Sequence, residues 1–235
     1  MKKQLIRGLA SVALTAGMTA PALADLSATA GFVSDYVYRG KEFGNAGAYF
    51  SVDYENSGFF AGTWAIMDGG TAGEVEDGEV STTNLGAEVD YYVGYGMEFD
   101  SGLNFSVGYT AYTYTYSKQY IEDFEDEVGG SLGYGAFAVS AYYGWAHSSE
   151  DGVSSYTYWD LSWSGDVFGV LVGGQANEDD STYTYAEVSA SGEVASLDMA
   201  LTVGSKFMGE DADGNDLDTS ADAYIVLDIS KTFSL

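Results

Sequence analysis

The sequence predicts an all-β fold, namely a transmembrane, antiparallel, up-and-down β-barrel of about 12 strands. Residues 83–99 alternate between an apolar and a polar register without a break. Because successive side chains of a β-strand point to opposite faces, one face of this segment is apolar and the other is polar. The segment exceeds the roughly 9–11 residues that a tilted strand needs to cross a bilayer.

Similar period-two segments follow one another along the chain, and their connections alternate in length. The segments lie at about residues 26–40, 47–55, 59–67, 83–99, 103–115, 122–134, 137–147, 155–164, 167–176, 182–191, 194–206 and 220–235. Connections after the even-numbered segments are short, and those after the odd-numbered segments are longer, polar and mostly acidic. Outer-membrane barrels have short periplasmic turns and longer external loops. We therefore expect both termini of one barrel domain, residues 25–235, on the periplasmic side.

Charged residues within the segments favour the polar face. Asp126 and Lys231 fall on the apolar face near segment ends, whereas Glu125 and Glu127 are typical of the charges on the polar face. A basic charge facing lipid at the midplane costs about 2–4 kcal/mol, which selects for this distribution. The segment at 59–67 carries no interior charge, and its phase stays open. The predicted pore-lining residues are Asp35, Arg39, Asp53, Glu88, Asp90, Glu98, Asp160, Glu187, Asp198, Lys206, Asp222 and Asp228.

A soluble β-sandwich would also alternate, but its connections would not alternate in length. It would also usually carry proline in its turns, and the only proline here is Pro21. The 20 Tyr and 4 Trp residues suit the aromatic belts of membrane interfaces. Trp64, Trp145 and Trp163 fall near segment ends and are the predicted interface anchors, with ordinary hydrophobic packing as the alternative.

Residues 1–24 have the pattern of a cleaved secretory signal. Lys2, Lys3 and Arg7 precede a short apolar stretch, and Ala22-Leu23-Ala24 offers a cleavage site. Removing these three basic residues, from a segment that contains no acid, changes the formal net charge from −28 to −31. Such a surface excludes nucleic acid as a partner. The acidity fits either a cation-selective lumen or a solvated acidic surface.

Three segments resemble the TorF family of bacterial outer-membrane porins. They are Ser34-Asp35-Tyr36-Val37-Tyr38-Arg39-Gly40, Gly58-Phe59-Phe60-Ala61-Gly62-Thr63-Trp64 and Glu88-Val89-Asp90-Tyr91-Tyr92-Val93-Gly94-Tyr95. The resemblance covers roughly residues 26–116 and implies an outer-membrane location, with outer-membrane lipids and lipopolysaccharide as neighbours. It brings no catalytic residue and no cofactor. Phe233, two positions before the end, approximates the terminal aromatic that the barrel-assembly machinery reads.

Two motifs suggest other chemistry. His147-Ser148-Ser149 would lie at the outer rim facing lipid, as the histidine–serine pair of outer-membrane phospholipases does, but chance serines beside an interfacial histidine explain it as well. Asp211, Asp213 and Asn215 have the alternate spacing of a calcium loop. Its sixth position is Asp216 instead of the required glycine, which favours weak divalent-ion binding over a specific site.

The function that the sequence predicts is passive diffusion of small hydrophilic solutes or cations, not catalysis. The alternative is a non-conducting structural or adhesion barrel, and a lipid-hydrolysing enzyme is third. Arg39 is either an element of the pore's electrostatic field or the partner of a cross-strand carboxylate such as Asp53. The inward tyrosines that could block the bore are Tyr92, Tyr112, Tyr142, Tyr158 and Tyr185.

Overall fold

Twelve antiparallel strands close into a barrel in the computed structural model of this chain. The structure describes residues 25–68, 75–76, 79–80, 87–115, 123–148, 152–216 and 223–235. The predicted signal segment and Asp222 lie outside the described residues. No helix within the described ranges has the length and apolar character that crossing a membrane requires.

The strands are numbered in chain order, and twelve of them form the barrel wall. The wall strands are β1 (Asp25–Val33), β4 (Gly47–Asn56), β5 (Phe59–Asp68), β8 (Ala87–Glu98), β9 (Leu103–Thr115), β10 (Asp123–Tyr134), β11 (Phe137–Ser148), β12 (Gly152–Ser164), β13 (Phe168–Asn177), β14 (Thr182–Val194), β15 (Leu197–Glu210) and β16 (Ala223–Ser234). Two short hairpins complete the strands, one formed by β2 (Tyr36–Tyr38) and β3 (Lys41–Gly44), the other by β6 (Val75–Glu76) and β7 (Glu79–Val80).

The first and last wall strands pair and so leave no open edge. Ser27 lies opposite Ser234 and Val33 lies opposite Asp228 in an unbroken antiparallel register. Each of the other wall strands pairs with its neighbours along the chain. The predicted all-β barrel of 12 strands is confirmed, and its closure satisfies the backbone groups that an open edge would expose.

The two ends of the barrel differ. At one end, consecutive wall strands are joined by tight turns, and both termini of the described chain also lie there. We name this end the turn end. Ser57 and Gly58 there have φ values of 51° and 89°, the positive values that a two-residue type I′ hairpin needs. Ala195 and Ser196 repeat this geometry with φ values of 52° and 65°. The opposite end, the loop end, carries the remaining connections.

The two faces of the wall also differ, as the alternation predicts. Large apolar side chains such as Phe50, Val107 and Leu161 are about half exposed on the outer face. Carboxylates such as Asp90 and Asp160 are buried on the inner face, among hydroxyl groups and tyrosines. The barrel is therefore apolar outside and polar inside.

The first predicted segment, 26–40, is wrong beyond Val33. The chain leaves the wall there, folds into the lumen as the β2–β3 hairpin, and rejoins the wall at Gly47, which pairs with Val33. Alternation alone does not separate a wall strand from a hairpin strand that lies inside the barrel. The same hairpin explains why the phase of 59–67 stayed open, because the inward residue Ile66 of β5 is apolar and packs against it.

Candidate functional site

A hairpin crosses the lumen from the loop end, and we name residues 36–44 the inward hairpin. Tyr38 pairs with Lys41 across the tip, and the two residues between them, Arg39 and Gly40, have φ values of 51° and 73°. Positive φ at both central positions is the geometry of a type I′ turn. A non-glycine residue with positive φ is uncommon, so the contacts of the arginine side chain are needed to hold this tip.

Arg39 is buried in the lumen as one half of an ion pair. Its Nη1 and Nη2 atoms donate to the two carboxylate oxygens of Glu127 on β10 at 2.6 and 2.9 Å. The two side chains are only 4% and 3% exposed. The guanidinium also lies 3.9 Å from the ring centre of Tyr158 and 5.1 Å from that of Tyr142. The arginine is therefore held by a two-pronged ion pair and by cation–π contacts at once.

Tyrosine hydroxyls surround this ion pair. Tyr156 donates to Glu127 at 2.9 Å, and Tyr112 donates to it at 3.3 Å. The hydroxyls of Tyr38 and Tyr112 lie 2.9 Å apart, and those of Tyr158 and Tyr185 lie 2.7 Å apart. Four of the five tyrosines named as candidate blockers thus lie buried around the hairpin tip, namely Tyr112, Tyr142, Tyr158 and Tyr185. The fifth, Tyr92, donates instead to Asp53.

The base of the inward hairpin packs against the opposite part of the wall. Val37 joins a buried cluster with Val33 of β1, Ile66 of β5 and Val226 of β16. Tyr36 donates to Glu88 of β8 at 2.7 Å. Together with the contacts of the tip on β9 to β12 and β14, these contacts reach the wall on all sides. The inward hairpin therefore obstructs the bore at its loop-end half.

Gly40 has no room for a side chain, which gives a direct test of the hairpin's position. A Cβ atom there would lie 2.5 Å from Cγ of Tyr185, and the φ of 73° is itself unfavourable for alanine. We expect Gly40→Ala to cost about 1–2 kcal/mol from the backbone and a further 1–3 kcal/mol or so from the overlap. Chemical denaturation in detergent micelles measures the loss. Gly135→Ala, at φ 61° with open space around it, is the matched control; equal losses in both variants would contradict the packing described.

Below the inward hairpin, an acidic cavity of about 550 Å³ extends to the turn end. We name it the acidic chamber. Tyr36, Val37 and Tyr38 line it on the hairpin side, and Ser191 and Glu193 line it at the turn end. No lysine, arginine or histidine is among its lining residues in the described part of the chain. Its carboxylates are Asp53, Glu88, Asp90, Asp166, Glu187, Glu193, Asp198 and Asp228.

The structure brings together six of the predicted pore-lining residues in this chamber: Asp53, Glu88, Asp90, Glu187, Asp198 and Asp228. The others lie elsewhere. Asp160 is buried nearer the hairpin tip and accepts a hydrogen bond from Ser140 at 3.2 Å. Asp35 precedes the inward hairpin and is half-buried, and Glu98 is exposed at the turn end.

Arg39 and Lys206 lie towards the loop end, away from the chamber. Arg39 does not pair with Asp53 on the neighbouring strand, as one hypothesis had it, because the hairpin carries it across the lumen to Glu127. Lys206 of β15 pairs in register with the inward residue Tyr185. Burial, and then the charge of Lys206, lower the pKa of Lys41 on the hairpin. The cationic groups of the lumen are thus separated from the acidic chamber.

Of the three predicted interface anchors, Trp64 is placed differently. It faces the lumen, where its ring centre lies 5.9 Å from those of both Tyr36 and Tyr49. The inner face of β5 is apolar where it packs against the inward hairpin, which explains why Trp64 faces the lumen. Trp145 contacts Tyr143 on the outer face near the loop end, and Trp163 is 39% exposed on the outer face near the turn end.

The histidine of the phospholipase hypothesis forms a different contact. His147 Nε2 lies 3.2 Å from a carboxylate oxygen of Asp126 on the outer face, where Tyr109 also donates to Asp126. The imidazole is therefore a hydrogen-bond partner of one of the two charged residues on the apolar face. The side chains of Ser148 and Ser149 lie outside the described residues.

The candidate calcium loop is a hydrogen-bonded turn. Both carboxylate oxygens of Asp211 accept hydrogen bonds from Asn215, whose backbone and side-chain amides donate at 2.9–3.2 Å. These bonds lower the pKa of Asp211. Asp213 contributes its backbone amide to the same carboxylate at 3.0 Å. Within the described residues, no group of three or more His, Cys, Asp or Glu side chains could hold a metal ion. Turn formation accounts for the spacing.

Sequence reasoning missed the residues that hold the inward hairpin in place. It placed Glu127 on the inner face without identifying its partner, and it did not single out Tyr38 or Tyr156. The available signal was the sole arginine of the chain after the signal segment, set in a tyrosine-rich sequence. That signal was assigned to the wall instead of the lumen.

No family model and no curated protein sequence matches this chain. Among solved structures, the chain is similar to the KdgM porin in complex with disordered oligogalacturonate, with a TM-score of 0.50 and 6% identity over 89% of this chain and 99% of the porin. It is also similar to an outer membrane channel from Pseudomonas putida F1, with a TM-score of 0.51 and 10% identity over 92% and 97% of the two chains. At these identities the likeness shows the fold alone. The TorF family assignment stays a prediction.

Proposed function

We propose that this protein is a bacterial outer-membrane porin through which small hydrophilic solutes and ions diffuse passively, with a preference for cations. The observation that carries the proposal is the closed barrel with an apolar outer face and an acidic lumen. The outer apolar face suits lipid acyl chains, and the enclosed carboxylates suit water and cations. The likeness of the fold to a porin and to an outer membrane channel supports it.

The location and partners belong to the same proposal. The signal pattern at 1–24 favours export, and the TorF-like segments favour the outer membrane. There the barrel would contact lipids and lipopolysaccharide after insertion by the barrel-assembly machinery. Trp145 and Trp163 on the outer face are the proposed interface anchors.

Cation preference is tested by neutralising inner carboxylates. We expect replacement of Glu88, Asp90 and Asp160 by Gln, Asn and Asn to move the reversal potential in a salt gradient toward zero, because fixed negative charges raise the local cation concentration. Planar-bilayer recordings measure the change. Asp126→Asn, which neutralises an acid on the outer face, is the control and should leave the reversal potential unchanged. An unchanged value in the triple variant would reject the assignment.

A non-conducting structural barrel is the second candidate, and the inward hairpin is the observation that favours it. The contacts of the hairpin with opposite parts of the wall narrow the bore. A barrel of twelve strands is intermediate in size between small barrels that are filled by side chains and large barrels that have an open channel. Influx of small sugars into liposomes that contain the protein separates the two functions. Influx supports the porin, and its absence at high protein density supports the structural barrel.

A further inference from the structure

We propose that the acidic chamber binds an aliphatic polyamine, an elongated cation with ammonium groups spaced along a hydrocarbon chain. The inference rests on the proposed porin function and deepens it by naming a class of solute that the lumen holds. Three observations support the proposal: unpaired buried oxygens, carboxylates spread around the wall, and an aromatic surface between those carboxylates.

Three buried side chains that line the acidic chamber have an oxygen without a hydrogen-bond partner. These oxygens are Oδ1 of Asp90, Oδ2 of Asp228 and Oγ1 of Thr202, and the three residues are 1%, 3% and 1% exposed. Glu88 and Glu187 each accept a hydrogen bond from a tyrosine at 2.7 Å. The side chains of Asp90 and Asp228 also form hydrogen bonds, with Glu88 and with Tyr49 and Ser230 respectively, but these leave the two named oxygens unpaired. Buried acceptors are rarely left without a donor in native structures. The unpaired oxygens therefore indicate a ligand that brings hydrogen-bond donors.

The carboxylates are spread around the chamber and do not converge at one point. Asp90 lies on β8 and Asp228 lies on β16, and the wall order β8-β5-β4-β1-β16 separates these strands by four spacings of about 4.8 Å. A metal ion needs several ligands at one point, and the described residues contain no such group. An elongated polycation can instead present one ammonium group to each side.

An aromatic surface lies between the two carboxylate positions. Trp64 contacts Tyr36 and Tyr49, with ring centres 5.9 Å apart in both pairs, and all three line the chamber. Aromatic faces attract alkylammonium groups, and their apolar surface packs against methylene groups. The volume of about 550 Å³ lies in the range of small-molecule sites. The chamber thus offers carboxylates to the ammonium groups of a polyamine and an aromatic surface to its methylene groups.

Calorimetric titration of the full-length barrel in detergent micelles with spermidine tests the proposal. We expect saturable binding that weakens roughly tenfold or more in the Asp90→Asn, Asp228→Asn double variant, because it loses hydrogen bonds between charged groups. Asp126→Asn on the outer face is the matched control and should bind as the wild type does. Fully acetylated spermidine, similar in length but uncharged, should not bind.

Three results would overturn the proposal: equal binding of the acetylated compound, displacement of spermidine by equimolar Mg²⁺, or equal weakening in the control and the double variant. Even if the double variant does not fold, the comparison of spermidine with its acetylated form on the wild-type protein still tests the proposal. Sugar influx into liposomes, measured with the same protein preparation, tests the porin function separately from the polyamine site. Influx without spermidine binding refutes the polyamine site alone, and binding without influx supports the site and refutes the porin function.

Discussion

Replacing residues 35–45 by an Asn-Gly pair is expected to raise the single-channel conductance several-fold. The inward hairpin narrows the loop-end half of the lumen, so its removal leaves the wider bore of a twelve-stranded barrel. The wall should persist, because Val33 and Gly47 pair directly and a two-residue turn can join β1 to β4. Planar-bilayer recordings of single insertions measure the change.

The matched control shortens a loop-end connection whose residues 178–180 are exposed. Replacing residues 178–181, between β13 and β14, by the same Asn-Gly pair should leave the conductance near the wild-type value. If both replacements raised the conductance equally, general loosening of the loop end would explain the result. If the variant lacking 35–45 conducted no better than the wild type, the hairpin would not be the constriction.

Arg39→Ala is expected to destabilise the inward hairpin by about 3–5 kcal/mol, since it leaves the buried carboxylate of Glu127 without its partner. The loss of the ring contacts adds to this cost. Arg39→Lys should restore little, because lysine has neither the planar two-pronged donor nor the stacking surface of arginine. The free energy of unfolding in detergent micelles is the primary measurement, and flickering of the single-channel current is the second.

A double variant separates the ion pair from general packing. Arg39→Met combined with Glu127→Gln removes both charges and should cost less than Arg39→Ala alone, because no unpaired buried charge remains. Lys231→Met is the control: its ammonium group donates to the backbone oxygen of Ser196 at the exposed turn end, and we expect a change within about 0.5 kcal/mol. Similar costs for Arg39→Ala and Lys231→Met would contradict a structural role for the ion pair.

The wall of the barrel was predictable from the sequence because one physical constraint governs every wall strand. Outward positions carry little charge and inward positions accept it, so residues 83–99 and 103–115 show their phase directly. The residues of the tight turns, such as Ser57-Gly58, indicate where the wall strands end. The observed bounds of β9 are those predicted, and β10 and β11 differ from prediction by a single residue at one end.

The inward hairpin was not predictable by the same reasoning, because its environment is neither lipid nor open water. Tyr36, Val37 and Tyr38 continue the alternation of β1, and only the positive φ of Arg39 and Gly40 reverses the chain. The sequence there lacks the usual Asn-Gly or Asp-Gly signal. The long-range contacts that stabilise the turn, above all with Glu127, join residues 88 positions apart. A pattern read over neighbouring residues does not contain them.

We infer that the barrel encloses an aqueous path whose width the inward hairpin sets. Liposome swelling with sugars of graded size, run on the wild type and on the variant lacking 35–45, tests it most directly. We predict slow influx restricted to the smallest sugars for the wild type, and a higher size limit for the variant. Exclusion of every sugar by both proteins, or an identical size limit in both, would contradict the claim.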